Sequence, residues 1–245
     1  MNFTNKIALV TGASCGIGRA TAIKLAMGGA KLALVDIKFD ELLEVKEELK
    51  SYTEDVLVFN CDVSDEKAVN EVVRSVEEKW GCVDILVNNA AIWRTWKPFV
   101  EVTTEEWLRF INVNVMSVVY FTRAVMPKMI EKHFGRIINV TSVAGVNGNM
   151  NMSHYSATKA AVIAMTKSIA KEVAADGVLI NCVSPGSVSP SENKDVNHYI
   201  ESELSYMGRT GTDMENANLI CFLASDEASY ISGENIMIDG CRKKL

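Results

Sequence analysis

The chain has 245 residues, 48% of them hydrophobic and 23% charged, with a formal net charge of −6. That is enough apolar surface for one sizeable core, and the acidic balance argues against nucleic acid or an anionic membrane as partner. No uncharged apolar stretch reaches spanning length, and the six cysteines (Cys15, Cys61, Cys82, Cys182, Cys221, Cys241) show neither CxxC nor metal-ligand spacing.

Met1 leads within a few residues into the apolar Ile7-Ala8-Leu9-Val10, leaving no room for a signal peptide, so a cytoplasmic protein with reduced thiols is expected. Lys6 to Val10 reads as a buried strand. Thr11-Gly12-Ala13-Ser14-Cys15-Gly16-Ile17-Gly18 then turns into a helix reaching Met27, which Gly28-Gly29 ends. Lys31 to Val35 is a second strand with Asp36 at its carboxyl end. Strand, glycine-rich turn, helix, strand and an acid about twenty residues on is the context that dinucleotide binding requires. Gly12 permits the turn, Gly16 lets phosphate approach the backbone, and Gly18 lets helix and strand pack closely. The amides at the helix start would face the pyrophosphate. Asp36 accepts hydrogen bonds from ribose hydroxyls and repels a 2′-phosphate, and Ile37 rather than an arginine follows it. NAD(H) is therefore expected over NADP(H), with Lys38 and Arg19 the nearby cations that argue the other way.

Asp40 to Tyr52 is an acidic amphipathic helix, and Val56 to Asn60 a third strand ending in Cys61-Asp62-Val63. Ser64 is placed to cap the next helix, which runs to Trp80. After Gly81, Asp84 to Val87 forms a fourth strand ending at Asn88-Asn89-Ala90-Ala91. Alternating strands and helices joined by short turns imply an α/β fold: a Rossmann-type, doubly wound parallel sheet with helices on both faces. Trp93, Arg94, Trp96 and Lys97 lie in a loop; the tryptophans either line a ligand cleft or pack a subunit contact or the loop itself.

Thr103 and Glu106 form a capping box opening a helix to Ile130. Asn114 falls mid-helix, either at the surface or buried with partners. Arg136 to Val140 is a fifth strand, followed by Thr141-Ser142-Val143-Ala144-Gly145 and a loop of Gly, Asn and Met. A helix from Tyr155 to Ala174 carries Ala157, Ala160, Ala161 and Ala164, which permit close approach to the sheet or to a second subunit. Val178 to Val183 is a sixth strand ending at Ser184-Pro185-Gly186; Ser187 to Thr212 reads as a substrate lid or a short-helix insertion; Asp213 to Ala224 is a helix and Asn235 to Ile238 a last strand. No repeat or linker divides the chain, so residues 1–245 form one domain.

Tyr155 and Lys159 sit four apart, on one helix face. A phenol has a pKa near ~10, and an ammonium at about 4 Å in an effective dielectric of ~20 favours the phenolate by roughly 4 kcal/mol before desolvation. That would bring Tyr155 into the range of a proton carrier.

Taken together, Thr11 to Gly18, Asp62-Val63, Asn88-Asn89-Ala90, Asn114, Ser142, Tyr155 with Lys159, and Pro185-Gly186 resemble the short-chain dehydrogenase/reductase family in its single-domain form. The resemblance implies that Tyr155 is the general acid/base, that Ser142 hydrogen-bonds the substrate oxygen, and that Lys159 holds the nicotinamide ribose while lowering the Tyr155 pKa. Asn114 is similar to the family's asparagine that anchors a proton-relaying water. Gly12, Ser14, Cys15, Gly16, Ile17 and Gly18 would cradle the pyrophosphate, Asp36 and Ile37 the adenosine end, and Asp62 and Val63 the adenine. Asn89, Pro185 and Gly186 would lie beside the cofactor, with Val188 at the carboxamide. The chain departs from the family at Ala91, where Gly is usual; at Pro190, where a Thr is common and Ser189 or Ser191 would substitute; and at Cys241, where the family has a second Gly. The expected activity is NAD(H)-dependent interconversion of a secondary alcohol and a ketone. Met150, Met152, Met207, Trp93 and Trp96 suit a hydroxysteroid or similar alicyclic alcohol; Asn147, Asn149, Asn151, Arg94 and His198 suit a polyol or sugar acid. A 3-oxoacyl-carrier-protein reductase, with Lys128, Lys132 and Lys171 as a basic patch, and a silent NAD-binding regulator are the alternatives. A homo-oligomer, tetramer or dimer, is implied.

Overall fold

The computed structural model describes residues 1–189 and 194–243; the expectations at Pro190 and Ser191 lie outside them. The strands are β1 (Ile7–Thr11), β2 (Lys31–Asp36), β3 (Val56–Asn60), β4 (Ile85–Asn88), β5 (Gly135–Val140), β6 (Val178–Pro185) and β7 (Asn235–Ile238). They form one sheet in the order β3-β2-β1-β4-β5-β6-β7, every pair parallel. The helices are α1 (Gly16–Met27), α2 (Phe39–Leu49), α3 (Glu66–Trp80), α4 (Thr104–Ile111), α5 (Ser117–Lys132), α6 (Ala144–Asn147), α7 (Ser153–Val173) and α8 (Asp213–Ala224).

Pleating explains the two-sided core. In β1, Ala8 and Val10 point into a cluster with Leu25, Leu42, Leu49 and Ile220 from α1, α2 and α8. Ile7 and Leu9 point into the other, with Val72, Val73, Phe121, Val125, Ala170 and Val173 from α3, α5 and α7. Every residue of β1 is buried, as a central parallel strand requires. The strand order reverses between β1 and β4, so the crevice at their carboxyl ends is the switch point where such sheets bind ligands.

Several local expectations shift. Asp65, not Ser64, caps α3, its carboxylate accepting from Lys67 N at 2.9 Å and Ala68 N at 3.3 Å. Ser64 instead donates to Asp62 at 2.7 Å, because an aspartate two residues back offers a tighter turn. The expected capping box of Thr103 and Glu106 is present, and Thr212 with Glu215 makes a second one. The single long helix expected from Thr103 to Ile130 is interrupted by a π-helical turn over Asn112–Met116. Ala157, Ala161 and Ala164 are exposed, so these three alanines of α7 turn away from the sheet, whereas Ala160 is half-buried and Ala170 lies in the core.

Candidate active site

Two loops at the switch point are laced into one unit. The Thr11 hydroxyl accepts from the amides of Asn89 and Ala90 at 3.0 Å each, and the Asn89 side-chain amide donates back to Thr11 O at 3.0 Å and Gly12 O at 2.9 Å. Gly12 has φ +64°, and a Cβ there would lie 2.8 Å from Ala90 Cα. A Cβ on Gly18 would meet Gly12 O at 2.0 Å and Asn89 Nδ2 at 2.6 Å. Asn89 thus acts first as the strut of the glycine turn. A first-turn amide cluster follows: Cys15 occupies the N-cap of α1 without a side-chain capping bond, and no acid lies in the first turn, so the amides there are not taken up by a cap. The Ser14 hydroxyl is buried with no hydrogen-bond partner, a donor left for an anion or sugar. Ile17 packs against the core beneath, while Ile37 is 65% exposed at the rim.

Asp36 closes this cradle. Its Oδ2 accepts from Ser14 N at 3.0 Å and its Oδ1 from Lys38 N at 3.0 Å, so the carboxylate is fixed beside the turn. Both cations that argue for a 2′-phosphate are engaged elsewhere: Lys38 Nζ reaches Glu41 at 2.8 Å, and Arg19 forms a fork to Glu48 at 2.7 and 2.8 Å. Asp62 turns back on Ser64, and Val63 is buried. These orphaned donors and glycine contacts fit a dinucleotide.

The second half of the site follows β5 and β6. Ser142 hydrogen-bonds the Tyr155 phenol, and its Oγ also accepts from Ala144 N at 3.1 Å. Gly145 lets the short α6 lie directly on α7: a Cβ there would stand 2.7 Å from Lys159 C and 2.8 Å from Ala160 N. The sequence offered Gly145 only as part of a loop; the contact that makes it matter is between segments.

Lys159 is 4% exposed, and burial lowers its pKa to about 8. Its Nζ donates to Val140 O at 2.8 Å and stands 5.8 Å from the centre of the Tyr155 ring. The expected acidification of the phenol by Lys159 is therefore not what this arrangement does. Burial pushes Tyr155 above its ordinary value, and the Ser142 hydrogen bond opposes that rise.

Asn114 is buried in the π-helical turn and fully engaged. Its Oδ1 accepts from Ile92 N at 2.8 Å, and its Nδ2 donates to Ile92 O at 3.0 Å and Thr158 Oγ1 at 3.2 Å. Both amide hydrogens are used, so the side chain ties the loop after β4 to α7. A π-helical turn widens the backbone ladder, and such turns concentrate at functional sites.

Pro185 O accepts from Val143 N at 3.0 Å, joining the loops after β5 and β6. Gly186 lies against the C-terminal segment, where a Cβ would stand 2.8 Å from Asp239 Cα. Val188 pairs with Gly211 and Ser189 N donates to Gly211 O at 3.1 Å. Trp93 and Trp96 pack edge to face at 5.5 Å and remain 43% and 58% exposed, so they pack the loop itself and still present an aromatic surface. Among the described residues no cluster of metal ligands occurs, and no helix is long and apolar enough to cross a membrane.

A dinucleotide cradle opening onto a paired serine and tyrosine defines a pyridine-nucleotide oxidoreductase. Residues 12–241 match the family model described as Enoyl-(Acyl carrier protein) reductase. The chain is 40% identical over 243 residues to the 3-oxoacyl-[acyl-carrier-protein] reductase FabG of Thermotoga maritima, covering 98% of each chain. It is 38% identical to the protein of that name from Escherichia coli, again over 98% of each. The crystal structure of levodione reductase superposes with a TM-score of 0.90 at 32% identity, covering 98% of both chains. The chain belongs to the short-chain dehydrogenase/reductase family.

Proposed function

We propose that this protein is an NAD(H)-dependent ketoreductase whose substrate carries a 3-oxoacyl group. The single observation that carries the substrate is the identity of 40% across 98% of both chains with a 3-oxoacyl-[acyl-carrier-protein] reductase. The relatives favour this reading over the hydroxysteroid expected from the loop methionines. Met150 and Met207 are 87% and 61% exposed, which gives a steroid no apolar enclosure. The cofactor choice rests on Asp36 and on the pairing of Lys38 and Arg19 with carboxylates.

A bound nicotinamide would supply the hydride to the carbonyl carbon. Ser142 would hold the carbonyl oxygen, where negative charge develops. Tyr155 would deliver its proton to that oxygen, and Lys159 would orient the ribose. Asn114 fixes α7, on which both groups ride, against the loop after β4. The exposed alanine face of α7 supports association with a second copy. The test is oxidation of NADH and of NADPH in the presence of 3-oxoacyl thioesters, a steroid ketone and levodione. Turnover confined to the steroid ketone, or a preference for NADPH, would refute the corresponding half of the proposal.

A further inference from the structure

We propose that Arg242 is a specificity-determining residue that receives a carboxylate, so that the oxoacyl substrate is taken as a free 3-oxo acid rather than a thioester. This rests on the ketoreductase reading above and narrows its substrate.

The C-terminal segment is turned back onto the loops after β5 and β6 by its own backbone. After β7, Gly240 and Cys241 adopt φ of +61° and +59°, two successive left-handed residues that turn the chain sharply. The segment then pairs with the stretch before α8: Tyr206 N donates to Cys241 O at 3.0 Å, Met207 N to Gly240 O at 3.3 Å and Lys243 N to Leu204 O at 2.9 Å, with Arg242 opposite Ser205. Held on this ribbon, the Arg242 guanidinium spans the loops that follow β5 and β6. Nη2 donates to Asn149 Oδ1 and Nη1 to Ser187 Oγ, each at 3.4 Å. Asn149, in the loop before α7, is held against that helix one residue along from Tyr155, its backbone amide donating to Ser156 Oγ at 3.2 Å. Ser187 directly follows Gly186.

The chemistry of these contacts points outward. Arg19, Arg123, Arg136 and Arg209 each have a carboxylate partner. Arg242 is half-buried, and its hydrogen bonds among the described residues are two long ones to neutral oxygens. A guanidinium has five N–H donors in a fork that matches a carboxylate in two parallel bonds. At the edge of the site it can hold the acid group of a short 3-oxo acid while the ketone oxygen meets Ser142 and Tyr155. A neutral ester or thioester offers only a weaker acceptor there.

The experiment compares three substrates with NADH: acetoacetate, its ethyl ester, and its N-acetylcysteamine thioester, which bears no phosphate. Acetoacetate is expected to show the highest kcat/KM. Arg242→Gln should raise its KM roughly 10- to 100-fold, the worth of a charged hydrogen bond, with little change in kcat. The same variant should leave the ester and thioester nearly unaffected, and Arg242→Lys should recover part of the loss. An ester or thioester turned over as well as acetoacetate by the unaltered protein would overturn the proposal. So would an Arg242→Gln variant that slows all three alike, because Arg242 would then be only a structural latch. Failure to reduce any of the three would refute the oxoacyl reading itself, and this inference with it.

Discussion

At the scale of single residues, Tyr155 and Lys159 divide the work differently from their spacing. The pair shares a helix face, but the ammonium is committed to Val140 O, and burial dominates both groups. Tyr155→Phe removes the transferable proton and keeps the ring, so turnover should fall by about 10²- to 10⁴-fold. Dinucleotide affinity, read by fluorescence titration, should hardly move, and a variant that keeps normal turnover would remove Tyr155 from the chemistry. Burial brings Lys159 down to about 8, so the rate of ketone reduction should decline as pH rises through that value. A flat profile from pH 7 to 9 would mean that its charge is not needed. Asp36→Ala should weaken NADH and relax the proposed discrimination against NADPH, because the carboxylate that repels a 2′-phosphate is gone; unchanged discrimination would place selectivity elsewhere. Cys241 shows a departure with a physical cost. Where the resemblance expects glycine, a cysteine holds φ +59°, and Cys241→Gly should stabilise by up to about 1 kcal/mol in chemical denaturation, relief of the left-handed strain exceeding the entropy of the new glycine.

At the scale of elements, legibility in the sequence tracked how local the determining force was. The α8 and β7 boundaries agree with the sequence reading from Asp213 to Ala224 and from Asn235 to Ile238, because caps and apolar runs are local signals. The π-helical turn at Asn112–Met116 was not legible, since it is held by Asn114 reaching Ile92 and Thr158, partners 22 and 44 residues away. Gly145 belongs to the same class. Its lack of a side chain matters only because α7 passes over it, and no pattern within Ser142 to Gly145 announces that. Arg242 was missed for a similar reason: it sits beyond the last strand and reaches Asn149 across 93 residues. Gly145→Ala tests the point. Its methyl group would meet backbone atoms of Lys159 and Ala160, which cannot rotate away, so α6 must lift from α7. Overpacking of this kind costs about 1–3 kcal/mol, and Ser142 should lose its register with Tyr155 as well. Unaltered denaturation and kcat would show that the two elements are not rigidly coupled.

For the whole molecule, the same burial that builds the two-sided core leaves ionisable groups in places that make stability depend on pH. His154 is fully buried between Trp107 and Phe110, at 6.1 and 4.2 Å between ring centres, and neither imidazole nitrogen has a partner. Burial lowers its pKa. The unfolded chain then binds the extra proton first, and stability drops as pH falls through the ordinary histidine value near ~6.5. Asp213, at the start of α8, has the opposite sign. It is 3% exposed, and burial raises its carboxyl to about 6, with Arg19 opposing the rise. Between its ordinary value of 3.8 and about 6 the folded protein holds a proton that the unfolded chain has released, so stability falls with rising pH across that window and is flat above it. The displacement corresponds to roughly 3 kcal/mol of penalty at neutral pH. Asp213→Asn keeps the shape and removes the charge, so it should raise the urea midpoint at pH 7.5 and have progressively less effect as pH is lowered to 4. A midpoint that rises equally at both pH values would show that packing, rather than ionisation, decides the stability of the α8 terminus.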